Sequence, residues 1–76
     1  MALNADQWRE RGRHVRAQES LSRVPPATSR EKARTVVRLA FASALAVLPD
    51  DQRETAVDHA AEGYLMEHIA RGGTLA

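Results

Sequence analysis

Three arginines near the start of the chain have the spacing of one helical face. Arg9, Arg13 and Arg16 follow one another at i, i+4 and i+7, and Trp8 stands beside the first of them. A guanidinium group binds phosphate or carboxylate oxygens through a planar fork of donors, and an indole ring anchors interfaces or stacks on bases. The pattern therefore predicts a surface that binds an anionic partner, either an acidic protein or a nucleic acid.

The basic residues lie mostly in the first half of the chain. The formal net charge is +1, yet residues 1–38 carry +5 and residues 39–76 carry −4. Such asymmetry favours an anionic partner for the first half, and it adds Arg30 and Arg34 to the predicted partner-binding residues. The alternative is that two oppositely charged faces meet within a dimer.

The other polar residues form no pattern typical of catalysis or metal binding. His59 and Glu62 lie three residues apart and Asp58 and Glu62 four apart, which is too few ligands for a metal site. No serine lies in a nucleophile-elbow motif, the Gly72-Gly73 pair follows a helix instead of opening one, and the chain has no cysteine. We therefore expect no enzyme activity, no metal, no cofactor and no small-molecule substrate.

The elements that must position these residues are predicted to be helices. The chain holds 14 alanines and shows no period-2 alternation, so the predicted fold is a single all-α domain with three helices. Helix 1 is predicted over 5–22, with an N-terminal capping box from Asn4 to Gln7, and Gly12 is expected to cost it about 1 kcal/mol relative to Ala. Two prolines predict a stiff linker over 23–28 that holds helix 1 apart as a basic arm.

The second and third helices are predicted to form an antiparallel hairpin. Helix 2 is predicted over 29–48 with Thr28 as its N-cap, and helix 3 over 50–71, followed by a tail over 72–76. Because helix 2 is apolar almost all round, we expect a second copy to cover it in a homodimeric helical bundle. The predicted core and dimer-interface residues are Val36, Leu39, Ala40, Phe41, Ala44, Leu45 and Leu48 in helix 2, and Val57, Ala61, Tyr64, Leu65 and His68 in helix 3.

A row of small residues on helix 3 predicts close contact with a neighbouring helix. Ala56, Ala60 and Gly63 recur at i, i+4 and i+7, and Ala40 and Ala44 of helix 2 are the expected counterparts. Backbones approach closely where side chains on the facing surfaces are this small.

These patterns favour a small non-enzymatic regulatory or adaptor protein. It is expected to bind another protein through the basic Arg/Trp segment and to self-associate through helices 2 and 3, as small phage- or plasmid-type regulators do. The alternative is a dimeric DNA-binding transcriptional regulator whose arginine-rich half contacts phosphates. The chain opens without a signal-peptide pattern, and its longest apolar run, 36–48, is too short to cross a bilayer, so we expect a cytoplasmic protein without a membrane partner.

Overall fold

The computed structural model describes residues 3–19 and 27–76, and within them the chain is all-α, as predicted. Helix α1 spans Ala5–Gln18, α2 Arg30–Ala40, α3 Ala42–Ala46 and α4 Asp50–Ala70. The expected extension of helix 1 to residue 22 and most of the proline linker lie outside the described residues. Four helices replace the expected three, because helix 2 is interrupted at Phe41. None of these four helices has the length and apolar character that a membrane span requires.

Helix α4 is the centre of the fold, with α1 along one side and α2 along another. Its buried residues lie on two adjoining faces and are Ala56, Val57, Ala60, Ala61, Gly63, Tyr64, Leu65 and His68. The helix ends at two glycines: the Gly72 N–H donates to Ile69 O and the Gly73 N–H to His68 O, both at 2.9 Å. This is the Schellman arrangement, and the φ of 89° at Gly72 is one that glycine adopts without a steric penalty.

Helices α1 and α4 touch through their backbones. A Cβ atom placed on Gly12 would lie 2.7 Å from the carbonyl carbon of Ala60, and one placed on Gly63 would lie 2.6 Å from that of Arg9. Glycine is therefore required at both positions for this separation of the helices. The small-residue row of α4 does receive a neighbouring helix, but that helix is α1, which corrects the expected contact with the alanines of helix 2.

Helix α1 is a packed element of the domain, which corrects the expectation of a separate arm. Trp8 is only 5% exposed, and its ring meets Phe41 edge to face, with centroids 5.9 Å apart and planes at 73°. Trp8, Gly12 and Arg16 follow at steps of four residues and form the buried row of α1. An indole ring buries a large apolar area. Because the chain has only three aromatic residues, Trp8 is a major contributor to its core.

The interrupted helix 2 contacts α4 along a narrow line only. Ala33, Val37 and Leu45 are buried, and the side chain of Arg53 closes the end of α3. Its Nε donates to Leu45 O at 3.0 Å, which also accepts from the Leu48 N–H at 3.1 Å, and its Nη2 donates to Leu48 O at 2.7 Å. The carbonyls at this helix end therefore have partners.

The structure places the predicted core residues in three environments. Those of α4 are all buried, namely Val57, Ala61, Tyr64, Leu65 and His68, and so is Leu45 of α3. Val36, Phe41 and Leu48 are partly buried against them. Leu39, Ala40 and Ala44 are exposed, because α1 rather than helix 2 occupies the broad face of α4.

Candidate functional site

A cavity of about 570 Å³ lies where α1 ends and α2 begins. Its described lining residues come from α1, α2 with the residues before it, and α4: Arg16, Glu19, Ala27, Thr28, Ser29, Glu31, Lys32, Thr35, Val36, Tyr64 and His68. We call this cavity the Arg16 pocket. It combines charged, hydroxyl and apolar side chains, which is typical of sites that orient a small ligand.

The floor of the Arg16 pocket is a buried pair of side chains. Arg16 and His68 are each 1% exposed, and Arg16 Nε lies 3.1 Å from His68 Nδ1. His68 Nε2 lies 3.0 Å from the carbonyl oxygen of Thr74. A guanidinium N–H only donates and a carbonyl oxygen only accepts, so His68 is neutral with its proton on Nε2. His68, predicted as a core or dimer-interface residue, is buried within the chain.

The C-terminal tail holds His68 in this orientation. Thr74 O also accepts from the Thr28 N–H at 3.0 Å, and the Ala76 N–H donates to Thr28 O at 2.6 Å, in a parallel bridge between Thr28 and Leu75. A side chain on Gly73 would overlap the His68 ring, which gives this glycine its role. The tail predicted over 72–76 thus joins α4 to the start of α2.

The bridge also changes the start of α2. Thr28 is buried and its backbone is engaged by the tail, so Ser29 takes the N-cap position, which corrects the expected Thr28 cap. The Ser29 side chain accepts from the Lys32 N–H at 3.1 Å.

Two N–H donor atoms of Arg16 have no acceptor among residues 3–19 and 27–76. Its Nη1 and Nη2 each expose less than 1 Å² and have no hydrogen-bond partner there. Buried N–H donors without an acceptor cost free energy, so this arrangement marks Arg16 as more than a packing residue. The Glu19 carboxylate lines the same pocket and accepts a hydrogen bond from the Tyr64 hydroxyl. Burial first, then the hydrogen bond to Glu19 and its charge, raise the pKa of Tyr64 to about 12.

The other predicted partner-binding arginines of α1 face carboxylates of α4. Arg9 Nε lies 3.2 Å from Glu62 Oε2, and Arg13 Nε lies 3.6 Å from Glu67 Oε1. Arg71 donates to the same Glu67 at 2.7 Å, and mainly this bond, followed by the charges of Arg71 and Arg13, lowers the pKa of Glu67.

Helix α2 repeats this arrangement on the other side of α4. Arg34 pairs with Asp58 and, at 2.7 Å, with Glu54, which also accepts from Arg38 at 2.9 Å. The basic and acidic halves of the sequence therefore meet inside one chain through these ion pairs. Arg30 is exposed and forms no ion pair with the described residues.

Of the α4 residues considered as metal ligands, only His59 and Glu62 lie close together in the described part of the chain. His59 Nδ1 lies 3.6 Å from Glu62 Oε1, and the described part of the chain brings no three metal-ligating side chains together.

A second feature is an exposed apolar surface on α2, α3 and the turn after them. Leu39 is 77% and Val47 82% exposed. Exposed alanines surround them, and we call the whole set, Leu39, Ala40, Ala42, Ala44, Ala46 and Val47, the apolar ridge. Beside it lies a groove of about 380 Å³, lined by Ala42, Leu45, Ala46 and Val57 between Arg38 and Arg53.

Sequence reasoning found the ridge and missed the pocket. The excess of apolar residues in helix 2 signalled a surface without a cover. Arg16 was assigned to a basic surface by its i, i+7 relation to Arg9, although its i, i+4, i+8 relation to Trp8 and Gly12 was the signal for burial.

Comparison of the chain with protein-family models, curated proteins and solved structures gives no match.

Proposed function

We propose that this chain is a small non-enzymatic helical regulatory or adaptor protein that acts by protein–protein binding and self-associates through the apolar ridge. The observation that carries the proposal is the exposure of Leu39 and Val47, at 77% and 82%. Large exposed apolar side chains favour association, because a partner removes them from water at roughly 25 cal/mol per Å².

The shape of this surface supports pairing with a second copy of the chain. A symmetric dimer uses the same patch on both subunits, so the patch must carry both a projection and a recess. The ridge provides Leu39 and Val47 as projections, and the adjacent groove of about 380 Å³ provides a recess with apolar walls. Each copy can insert a side chain into the groove of the other.

The charges at the two ends of the ridge complement each other. The start of α2 carries the exposed Arg30 and Lys32, and the start of α4, beyond the other end of the ridge, carries the exposed Asp50 and Asp51. When two copies pair antiparallel about a two-fold axis, the basic end of one faces the acidic end of the other. This charge pattern favours one orientation and lowers the affinity for a parallel arrangement.

Binding through the Arg/Trp segment draws less support than self-association. Trp8 and Arg16 are buried, and Arg9, Arg13 and Arg34 face carboxylates of α4. The DNA-binding alternative loses the same arginines, since a guanidinium paired within the chain must leave its carboxylate before it binds a phosphate.

Light scattering on the chromatographed chain tests the proposal. We expect a mass that approaches twice 8.4 kDa as the concentration rises through the micromolar range. Leu39→Lys and Val47→Lys should each return the chain to the monomer while leaving its helical circular dichroism unchanged, because neither side chain contributes to the core.

Met66→Lys and Ile69→Lys are the matched controls. Both side chains are large, apolar and more than half exposed, but they lie on α4 away from the ridge. A wild-type chain that stays at 8.4 kDa throughout, or controls that dissociate the dimer as fully as the ridge variants, would contradict self-association through the ridge.

A further inference from the structure

The Arg16 pocket has the properties of an anion site, and we propose that it binds a small molecule through a single carboxylate group. The inference goes beyond the proposed self-association and does not depend on it, because the pocket shares no residue with the apolar ridge.

Arg16 presents the donors that a carboxylate needs. Its Nε is occupied by His68 Nδ1 at 3.1 Å, while Nη1 and Nη2 have no partner in the described ranges. Two adjacent N–H groups of one guanidinium match the two oxygens of a carboxylate in a bidentate pair. A bound carboxylate would also accept hydrogen bonds from the two donors that the fold buries without a partner.

The orientation of these donors is fixed before a ligand arrives. His68 holds Nε of Arg16, and Thr74 O holds the other nitrogen of His68 at 3.0 Å. The Thr28 N–H donates to the same carbonyl, so the chain of contacts runs back to the start of α2. Little conformational freedom is lost on binding when the binding group is held in this way.

A carboxylate reaches Nη1 and Nη2 of Arg16 only after a local side-chain adjustment, because each of these atoms exposes less than 1 Å². Glu31 and Lys32 line the same cavity and are exposed, and they are the long side chains able to turn aside. Lys32 adds a second positive charge on the ligand's path.

The charges of the pocket favour one carboxylate over a phosphate. Arg16 and Lys32 are balanced by Glu19 and Glu31, which line the same cavity. A doubly charged phosphate would therefore be repelled by two carboxylates, whereas a monoanion meets less repulsion. The volume of about 570 Å³ leaves room for a ligand body beyond the carboxylate, and Val36 lies in the wall of the cavity that would contact this body.

Titration of the ¹⁵N-labelled full chain, followed by NMR, tests the proposal. Sodium acetate and sodium benzoate serve as carboxylate probes, and sodium phosphate and sodium chloride serve as comparisons at equal ionic strength. The Nε–Hε signal of Arg16 is the readout, and its presence also shows that the bond to His68 is intact. We expect a saturable shift of this signal with both carboxylates, tighter with benzoate, and none with chloride.

Variants on the rim separate the pocket from general electrostatics. Lys32→Gln is exposed and should weaken carboxylate binding about two- to five-fold, as expected for the loss of one partly screened charge. Arg11→Gln is the matched control, since Arg11 is also exposed but lines a different part of the surface. It should leave the affinity unchanged.

Three results would overturn the proposal. The first is no saturable shift of the Arg16 signal with either carboxylate, and the second is an equal shift with chloride. The third is a phosphate affinity that matches that of acetate, which would refute the preference for a single negative charge. A ridge variant that is monomeric should bind benzoate as the wild type does, so failure of the dimer and failure of the pocket are distinguishable.

Discussion

Replacement of Gly12 by alanine tests the backbone contact between α1 and α4 directly. An exposed glycine within a helix costs about 1 kcal/mol relative to alanine, so the substitution would stabilise an isolated α1. In the folded chain, however, the new methyl group would lie 2.7 Å from the carbonyl carbon of Ala60 and would overlap its oxygen. We therefore expect the opposite sign, a loss of stability.

The magnitude follows from what has to move. Ordinary van der Waals contact begins at 3.4 Å, so the two helices must separate by at least about 0.7 Å at this point, and by more to clear the oxygen. The obstructing atoms belong to the backbone, and no side-chain rotation relieves the contact. Overpacking of this kind costs typically 1–3 kcal/mol, and more where nothing yields. Because the obstructing atoms are backbone, the upper end of this range, about 3 kcal/mol, applies; subtracting about 1 kcal/mol for the gain in helix propensity leaves a net loss of about 2 kcal/mol.

Thermal unfolding followed by circular dichroism measures this loss. For a domain of this size, about 2 kcal/mol corresponds to a decrease in Tm of about 8–16 °C. Ala17→Gly, at an exposed position of the same helix, calibrates the propensity term alone and should cost no more than about 1 kcal/mol.

Gly63→Ala perturbs the same interface from the side of α4, because its methyl group would meet the backbone of Arg9. Once either substitution has separated the helices, the other has less left to displace. The double variant should therefore lose less stability than the sum of the two single variants. A Gly12→Ala chain with an unchanged or higher Tm would refute the close packing of α1 on α4.

Three further results follow from the core and its titrating groups. Trp8→Ala should remove about 3–5 kcal/mol, comparable to the whole stability of a domain this small, so its far-ultraviolet circular dichroism should show a largely unfolded chain at room temperature. Tyr64 is the sole tyrosine, so absorbance should report its ionisation near pH 12 instead of its ordinary 10.0. In Glu19→Gln the midpoint of this titration should lie at a lower pH than in the wild type. Because the folded wild type holds the proton more tightly than the unfolded state, stability should fall as the pH rises from 10 to 12. The lowered pKa of Glu67 acts in the other direction. Its contribution to the free energy of unfolding is complete above the pKa of the unfolded chain, near 4.5, and is lost as the pH falls through the pKa of the folded chain. Denaturant melts should show this loss, and it should be smaller in Arg71→Gln.

Local signals in the sequence predict the helix ends well, because caps act through neighbouring residues. The Asn4 and Gln7 side chains form both bonds of the predicted capping box, at 2.8 and 2.9 Å. The glycine pair after α4 likewise ends the helix where it was expected. Where a long-range contact competes, the local signal fails, and Thr28 loses its predicted cap position because the tail pairs with its backbone.

The choice of packing partners could not be predicted from periodicity alone. Ala56, Ala60 and Gly63 predict a closely packed neighbouring helix but do not show which one. The short turn after helix 2 favoured helix 2, whereas the neighbour is α1. Gly12 was judged a weakness of helix 1, whereas it is the residue that lets α1 reach α4. A glycine that is costly in its own helix is a reason to look for a backbone contact elsewhere.

The candidate site was hidden by the same ambiguity. Arg16 belongs to two rows of α1 at once, one with Arg9 and one with Trp8 and Gly12. Charge favoured the first row, and burial follows the second because His68 supplies an acceptor for Nε. Thr74 is separated from Arg16 by most of the chain, and no spacing rule links them.

The core of this chain is separate from the surface through which we propose that it self-associates. The core is built by α1 and α2 on α4, with Trp8 and Val37 buried at its two sides, and the apolar ridge contributes no buried side chain to it. A chain that depended on its partner for folding would lose its helical signal on dilution. Dilution of the proposed dimer should leave a folded monomer, so the fraction of paired ridges would follow the protein concentration. Loss of circular dichroism in step with loss of the dimer would contradict this separation.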